Sequence, residues 1–156
     1  MKYNVVIKEV APENLASIRA TCSIAELPEV MGRQFGRIIA ALSAEGIQPS
    51  AGALAIYHGW TQDTVDVEIA FVIQEIFHPR IGQSGVAPSK IPGGRVAFTT
   101  HVGPYEEIQN GYGAIRAYAQ ENSLKLADMM WECYLTDPAV EPDLRKHITE
   151  LYWPLA

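Results

Sequence analysis

One feature constrains the fold of this chain more than any other: the sequence repeats itself at a fixed distance. Residues 27–46 place Leu27, Met31, Phe35, Ile38 and Leu42 at spacings of four and three, the stripe of an amphipathic helix. Residues 105–122 do the same with Ile108, Tyr112, Ile115 and Ala119. Phe35-Gly36 recurs as Tyr112-Gly113, 77 residues later, and the same step carries Met31 to Ile108, Ile38 to Ile115, Leu42 to Ala119 and Tyr57 to Tyr134.

The flanks keep the pattern. Short apolar and β-branched runs, 16–23 and 95–102, precede the two helices. Segments 53–57 and 65–73 alternate in hydrophobicity as half-buried strands do, and 130–135 and 148–155 are their counterparts. The step grows to 82 from Glu68 to Glu150, so the second copy holds five more residues between its last two strands, in a loop marked by Asp137-Pro138 and Glu141-Pro142. The chain therefore predicts one α+β domain over 1–156: a βαββ repeat at about 3–73, a connector at 74–93 and a second βαββ repeat at 94–156. The connector, with Pro79, Gly82, Gly85, Pro88 and Pro92-Gly93-Gly94, reads as loop, too poor in apolar residues for a further element. Residues 3–10 read as an extra strand or the start of the first. Two such units pair most simply into one antiparallel sheet with both helices on one face, leaving the other face and a central cleft for a ligand.

Composition narrows the partners. Twelve basic against eighteen acidic residues give a net charge of −6, with no basic run longer than Arg145-Lys146. Nucleic-acid backbones are bound by clustered Lys and Arg, so no direct nucleic-acid binding is expected. A cationic or neutral ligand suits the charge better than an anion. Met1–Val10 reads as a strand broken by Lys8 and Glu9 and not as a signal peptide, and no apolar run approaches the roughly 20 residues that span a bilayer. No membrane association and a cytoplasmic location are the expectations. Cys22 and Cys133 read as small buried core residues. His58, His78 and His147 lack ligand spacing, so neither a metal nor a cofactor is expected.

Strand parity points to a site. In the strand at 130–135, Trp131, Cys133 and Leu135 form an apolar set expected to pack on the helices, and Glu132 and Tyr134 point the other way. In 148–155, Glu150 pairs with Tyr152 and Leu151 with Trp153. If the strands are hairpin neighbours, two carboxylates and two phenols meet on one surface. The first copy offers Ala55 and Tyr57, then Glu68 and Ala70, so the acidic and aromatic groups concentrate in the second. A carboxylate buried among rings favours a ligand with positive charge and flat apolar surface. His101, just before Gly103-Pro104, reads as a polar tie for that turn or as a pocket acid or base. Pro104 suits the first turn of the second helix, with Glu106 and Glu107 complementing its dipole. Gly113 reads as a point of close approach to the sheet, and Trp60 and Trp153 as core.

Four stretches carry a family resemblance: Pro92-Gly93-Gly94-Arg95-Val96-Ala97, Thr100-His101-Val102-Gly103-Pro104-Tyr105-Glu106, Trp131-Glu132-Cys133-Tyr134-Leu135-Thr136-Asp137-Pro138 and Thr149-Glu150-Leu151-Tyr152-Trp153-Pro154-Leu155. In order and spacing they resemble the GyrI-like small-molecule-binding family, which includes the effector domains of AraC-type and MerR-type multidrug regulators and small gyrase-inhibitory proteins. The resemblance implies duplicated, SHS2-like βαββ units with a pseudo-twofold, and lipophilic, often cationic ligands held by a buried Glu flanked by aromatics. That Glu falls on Glu132, and the later Glu and Tyr on Glu150 and Tyr152. With no helix-turn-helix ahead of it, the chain is expected to be a stand-alone member. Three functions stay open. It binds amphipathic, cationic or aromatic compounds; or it hydrolyses cyclopropane-containing toxins with Glu132 and Glu150 as acid and base; or it acts on a protein partner, gyrase or a regulator. The expected ligand-binding set is Glu132, Tyr134, Glu150, Tyr152, Tyr57, Glu68 and His101. The natural ligand and the oligomeric state are left open.

Overall fold

Alternating β-branched runs become strands and the two periodic stripes become helices. The structure, a computed structural model, describes residues 3–82, 85–137 and 139–156. Among them the elements are β1 (Val6–Val10), β2 (Glu13–Ser23), α1 (Leu27–Ala44), β3 (Ala53–Trp60), β4 (Thr64–Ile73), β5 (Ala87–Ile91), β6 (Gly94–Val102), α2 (Gln109–Glu121), β7 (Met130–Tyr134) and β8 (Ile148–Pro154). The protein is α+β, and within each unit the paired strands run antiparallel. It divides into two compact units, Ala11–Gly93 and Met1–Val10 with Gly94–Ala156.

In the unit 11–93 the strands lie in the order β3-β4-β2-β5, and in the other unit β7-β8-β6-β1. Each therefore runs strand, helix, strand, strand, with one further strand beside the first. In 11–93, Phe35 of α1 meets Phe71 of β4 edge-on with centroids 5.5 Å apart. Helix α1 buries Val30, Gln34, Ile38 and Leu42. In the other unit α2 buries Gly111, Tyr112, Ile115 and Ala119.

Several readings need correction. Residues 87–91 of the supposed connector form β5, paired with β2. Residues 3–10 supply β1, which pairs with β6 and belongs to the second unit, so the first repeat does not begin there. The second helix begins later than its stripe: Tyr105–Glu107 is a separate 3-10 turn with Pro104 at its N-cap position and Glu106 and Glu107 inside it, and the N-cap of α2 is Ile108. Leu135 lies beyond β7 and is 57% exposed, and Trp60 is 39% exposed, while Trp153 is buried. Cys22 and Cys133 are half-buried, not core residues. Pro138 of the predicted loop lies outside the described residues. Gly111, and not Gly113, is where α2 approaches the sheet: a Cβ there would sit 2.6 Å from Leu151 Cδ1, whereas one on Gly113 would meet nothing within 4 Å.

The two helices end alike. After α1 the Gly46 N–H bonds Ser43 O at 3.0 Å and the Ile47 N–H bonds Leu42 O at 2.8 Å, a Schellman motif on a left-handed glycine with φ 68°. After α2 the Ser123 N–H bonds Gln120 O at 3.3 Å and the Leu124 N–H bonds Ala119 O at 2.8 Å. There the left-handed position, φ 55°, holds a serine. A Cβ in that region costs about 1–2 kcal/mol, less where a short polar side chain bonds locally. Ser123→Gly is expected to stabilise the chain by about 1 kcal/mol, raising the thermal midpoint by roughly 2–4 °C in a calorimetric scan.

Candidate functional site

Pairing register decides which side chains share a surface. Between β7 and β8 the opposed residues are Trp131 with Tyr152, Glu132 with Leu151, Cys133 with Glu150 and Tyr134 with Thr149. Opposed residues of an antiparallel pair point to the same face. Leu151 abuts Gly111 of α2, and Trp153 meets Tyr112 of α2 edge-on with centroids 6.0 Å apart. Glu132 and Tyr134 therefore lie on the α2 face, and Glu150 and Tyr152 on the opposite one. The shared surface of two acids and two tyrosines does not form. Alternation holds within each strand, but the phase between strands is set by register, and one residue of register exchanges the faces.

On the α2 face Glu132 is 5% exposed. The Tyr112 hydroxyl donates to its Oε2 and the Tyr134 hydroxyl to its Oε1, the latter at 2.6 Å. Among the described residues no Lys, Arg or His pairs with it. Burial raises the Glu132 carboxyl above its ordinary range, and the two phenolic hydrogen bonds offset only part of that. The Tyr105 ring stands edge-on to Tyr134, 5.8 Å between centroids, and packs on His147 at 5.7 Å. Burial first, and the nearby Glu132 charge second, raise the Tyr105 phenol. Tyr105 and Tyr134 are half-buried, so they are the rings of this cluster that reach solvent.

His101 lies on the same face, opposed to Thr149, and is fully buried. Its Nε2 lies 2.8 Å from the Pro104 carbonyl oxygen and its Nδ1 2.8 Å from the Tyr3 hydroxyl. Because a carbonyl only accepts, Nε2 carries the proton and Nδ1 accepts from Tyr3. His101 is occupied as the tie of the turn.

On the opposite face, the Tyr152 hydroxyl donates to Glu150 Oε1 at 3.0 Å. Its ring stacks on Trp131 at 5.3 Å and packs on Phe98 at 5.0 Å, with Lys8 Nζ 4.0 Å from the Phe98 centroid. Lys8 thus already occupies the end of this aromatic ladder. In 11–93, Tyr57 is buried on the α1 face, two residues from Ala55 and opposed to Val67, while Glu68 points away from α1. Glu68 is buried too, which by itself raises its carboxyl. Hydrogen bonds from Ser89, Ser17 and His58 outweigh burial and hold it below the ordinary value. The Ser17 hydroxyl and His58 Nε2 each lie 2.7 Å from its oxygens. The two buried glutamates are therefore opposites: Glu68 is compensated from within and Glu132 is not.

Parity reasoning missed Tyr112, read as core, and the parts played by Tyr105, His147 and Thr149. The constant step in the sequence holds the signal. Ala55 is opposed to Ile69 and Tyr57 to Val67, as Glu132 is to Leu151 and Tyr134 to Thr149. In that correspondence Phe35, Ala55, Val65 and Val67 of the first unit become Tyr112, Glu132, His147 and Thr149 in the second. Among the described residues no cluster of three or more His, Cys, Asp or Glu is placed to hold a metal, and no helix is long and apolar enough to cross a membrane.

The chain matches the GyrI-like small-molecule-binding domain over residues 3–156 and belongs to that family. In three dimensions it is similar to the C-terminal domain of EcmrR, with a TM-score of 0.84 at 19% identity, covering 100% of this chain and 99% of that one. It spans 57% of the EcmrR chain in the complex with DNA, and 98% of this chain is covered there, at a TM-score of 0.84 and 19% identity. SAV2435 bound to tetraphenylphosphonium is similar at a TM-score of 0.71 and 14% identity, covering 100% of this chain and 94% of that one. A hydrolase of Listeria innocua encoded by lin2189 has a TM-score of 0.67 at 13% identity, over 97% of this chain and 91% of that one. Among curated proteins none matches the sequence.

Proposed function

We propose that this chain binds amphipathic cations with aromatic surface, and that Glu132 holds the charge. The observation that carries this reading is the buried carboxylate itself. It lies among Tyr105, Tyr112 and Tyr134 with no cation of the described chain beside it. Burying an unpaired carboxylate is costly, and a ligand cation relieves that cost while its flat surface meets the ring faces. The constant step between the units supports reading them as two copies of one βαββ module, the second adapted for binding by its polar substitutions. The tetraphenylphosphonium bound to SAV2435, a protein of the same fold, is consistent with a lipophilic cation as the ligand class.

Nothing in the register favours hydrolysis by a Glu132–Glu150 pair, since the sheet separates the two side chains. Fluorescence titration with a cationic rhodamine dye and with fluorescein, an anion of similar shape, tests the binding reading. The cation is expected to bind at least about tenfold more tightly than the anion. Equal or reversed affinities would remove the charge logic of the site.

A further inference from the structure

Two further groups on the α2 face are unlike their counterparts in the first unit. Thr149 Oγ1 and His147 Nδ1 are buried and have no hydrogen-bond partner among the described residues. Thr149 is fully buried and opposed to Tyr134, whose hydroxyl bonds Glu132. His147 is 1% exposed, two residues along the chain from Thr149, and its ring packs on Tyr105. Its Nε2 lies 2.7 Å from the Glu141 carbonyl oxygen and so carries the ring proton. Nδ1 is left as a bare acceptor.

The fold does not require polar atoms at either place. The register that pairs Tyr57 with Val67 in the first unit pairs Tyr134 with Thr149 in the second, and Val65 stands where His147 does. Both valines are buried. A buried polar group without a partner destabilises the folded chain, whereas valine at the same place does not. The second unit thus carries, on the same face as the carboxylate, one group that only accepts and one hydroxyl that donates or accepts.

We infer that the cation taken by this site is a primary or secondary ammonium, or an amidinium, with at least two N–H donors. One N–H meets Glu132, and the remaining donors meet His147 Nδ1 and Thr149 Oγ1. This rests on the cation-binding reading and narrows it. A quaternary ammonium or a phosphonium has the charge but no donor, and would leave both buried acceptors unmet.

Calorimetric titration of the whole chain with 1-naphthylmethylammonium and with its N,N,N-trimethyl analogue separates the two ligand types. Methylation adds apolar surface, so burial alone favours the quaternary compound. The inference predicts the opposite order, with the primary ammonium at least about tenfold tighter. In the Thr149→Val/His147→Phe double variant the two affinities are expected to fall within roughly threefold of each other. Should the double variant not fold, Thr149→Val alone, which installs the first unit's own residue, is expected to cut the preference by roughly threefold. Equal binding, or tighter quaternary binding, that is still weakened by Glu132→Gln overturns the donor requirement and leaves the cation site standing. A preference that survives in the variants overturns the roles of His147 and Thr149. If neither compound binds, or if binding is indifferent to Glu132→Gln, the proposed function falls with it.

Discussion

Glu132→Gln is expected to weaken a cationic rhodamine dye at least about tenfold, which is about 1.4 kcal/mol, while leaving the fold intact. The amide keeps the shape of the carboxylate, its oxygen accepts from one of the Tyr112 and Tyr134 hydroxyls and its NH2 donates to the other, so what is lost is the charge. Because burial already disfavours the charged form, the variant is expected to be as stable as the parent or more so at neutral pH. A gain in stability with a loss of affinity is the signature of a group kept for binding. A neutral aromatic probe is expected to be unaffected. Unchanged rhodamine affinity in a folded variant would move the charge recognition away from Glu132.

The second large effect is on pH. Burial raises the Glu132 carboxyl above 4.5, so the free protein holds its proton into a range where an exposed glutamate has lost it. For such a group the folded state binds more protons than the unfolded chain between the ordinary and the raised value. Stability is therefore full below the ordinary value and falls as pH rises through the raised one. A bound cation favours the carboxylate and lowers the same group, so binding releases a proton between the two values. Affinity is expected to climb with pH across that window by up to about tenfold per unit and to level off once the free protein is ionised. Glu68 contributes no such slope there, since its hydrogen bonds hold it below the ordinary range.

Much of the architecture was legible in periodicity. Two stripes of period 3.6 and a constant step located α1, α2 and the strands that follow them, because those side chains must face a core whatever else the chain does. Strand β5 was not legible: Ala87-Pro88-Ser89-Lys90-Ile91 has little β character of its own and is a strand because β2 offers it an edge. Glu132 was legible as a candidate, but its neighbours on the sheet face were not. Alternation tells which residues of one strand share a face and is silent on the phase between strands; the register puts Leu151 and Thr149, and not Glu150 and Tyr152, on the face of Glu132. Tyr112 fits an apolar stripe as well as its counterpart Phe35 does, and its hydroxyl finds Glu132 only once α2 lies across the sheet.

The decisive measurement is proton release on binding, from calorimetric titrations of the cationic dye in buffers of different ionisation enthalpy, for the parent and for Glu132→Gln. Charge capture by a carboxyl buried under α2 predicts that the parent gives up a fraction of a proton approaching one within the window, and the variant none. Identical proton counts for the two proteins, or uptake in place of release, would contradict it.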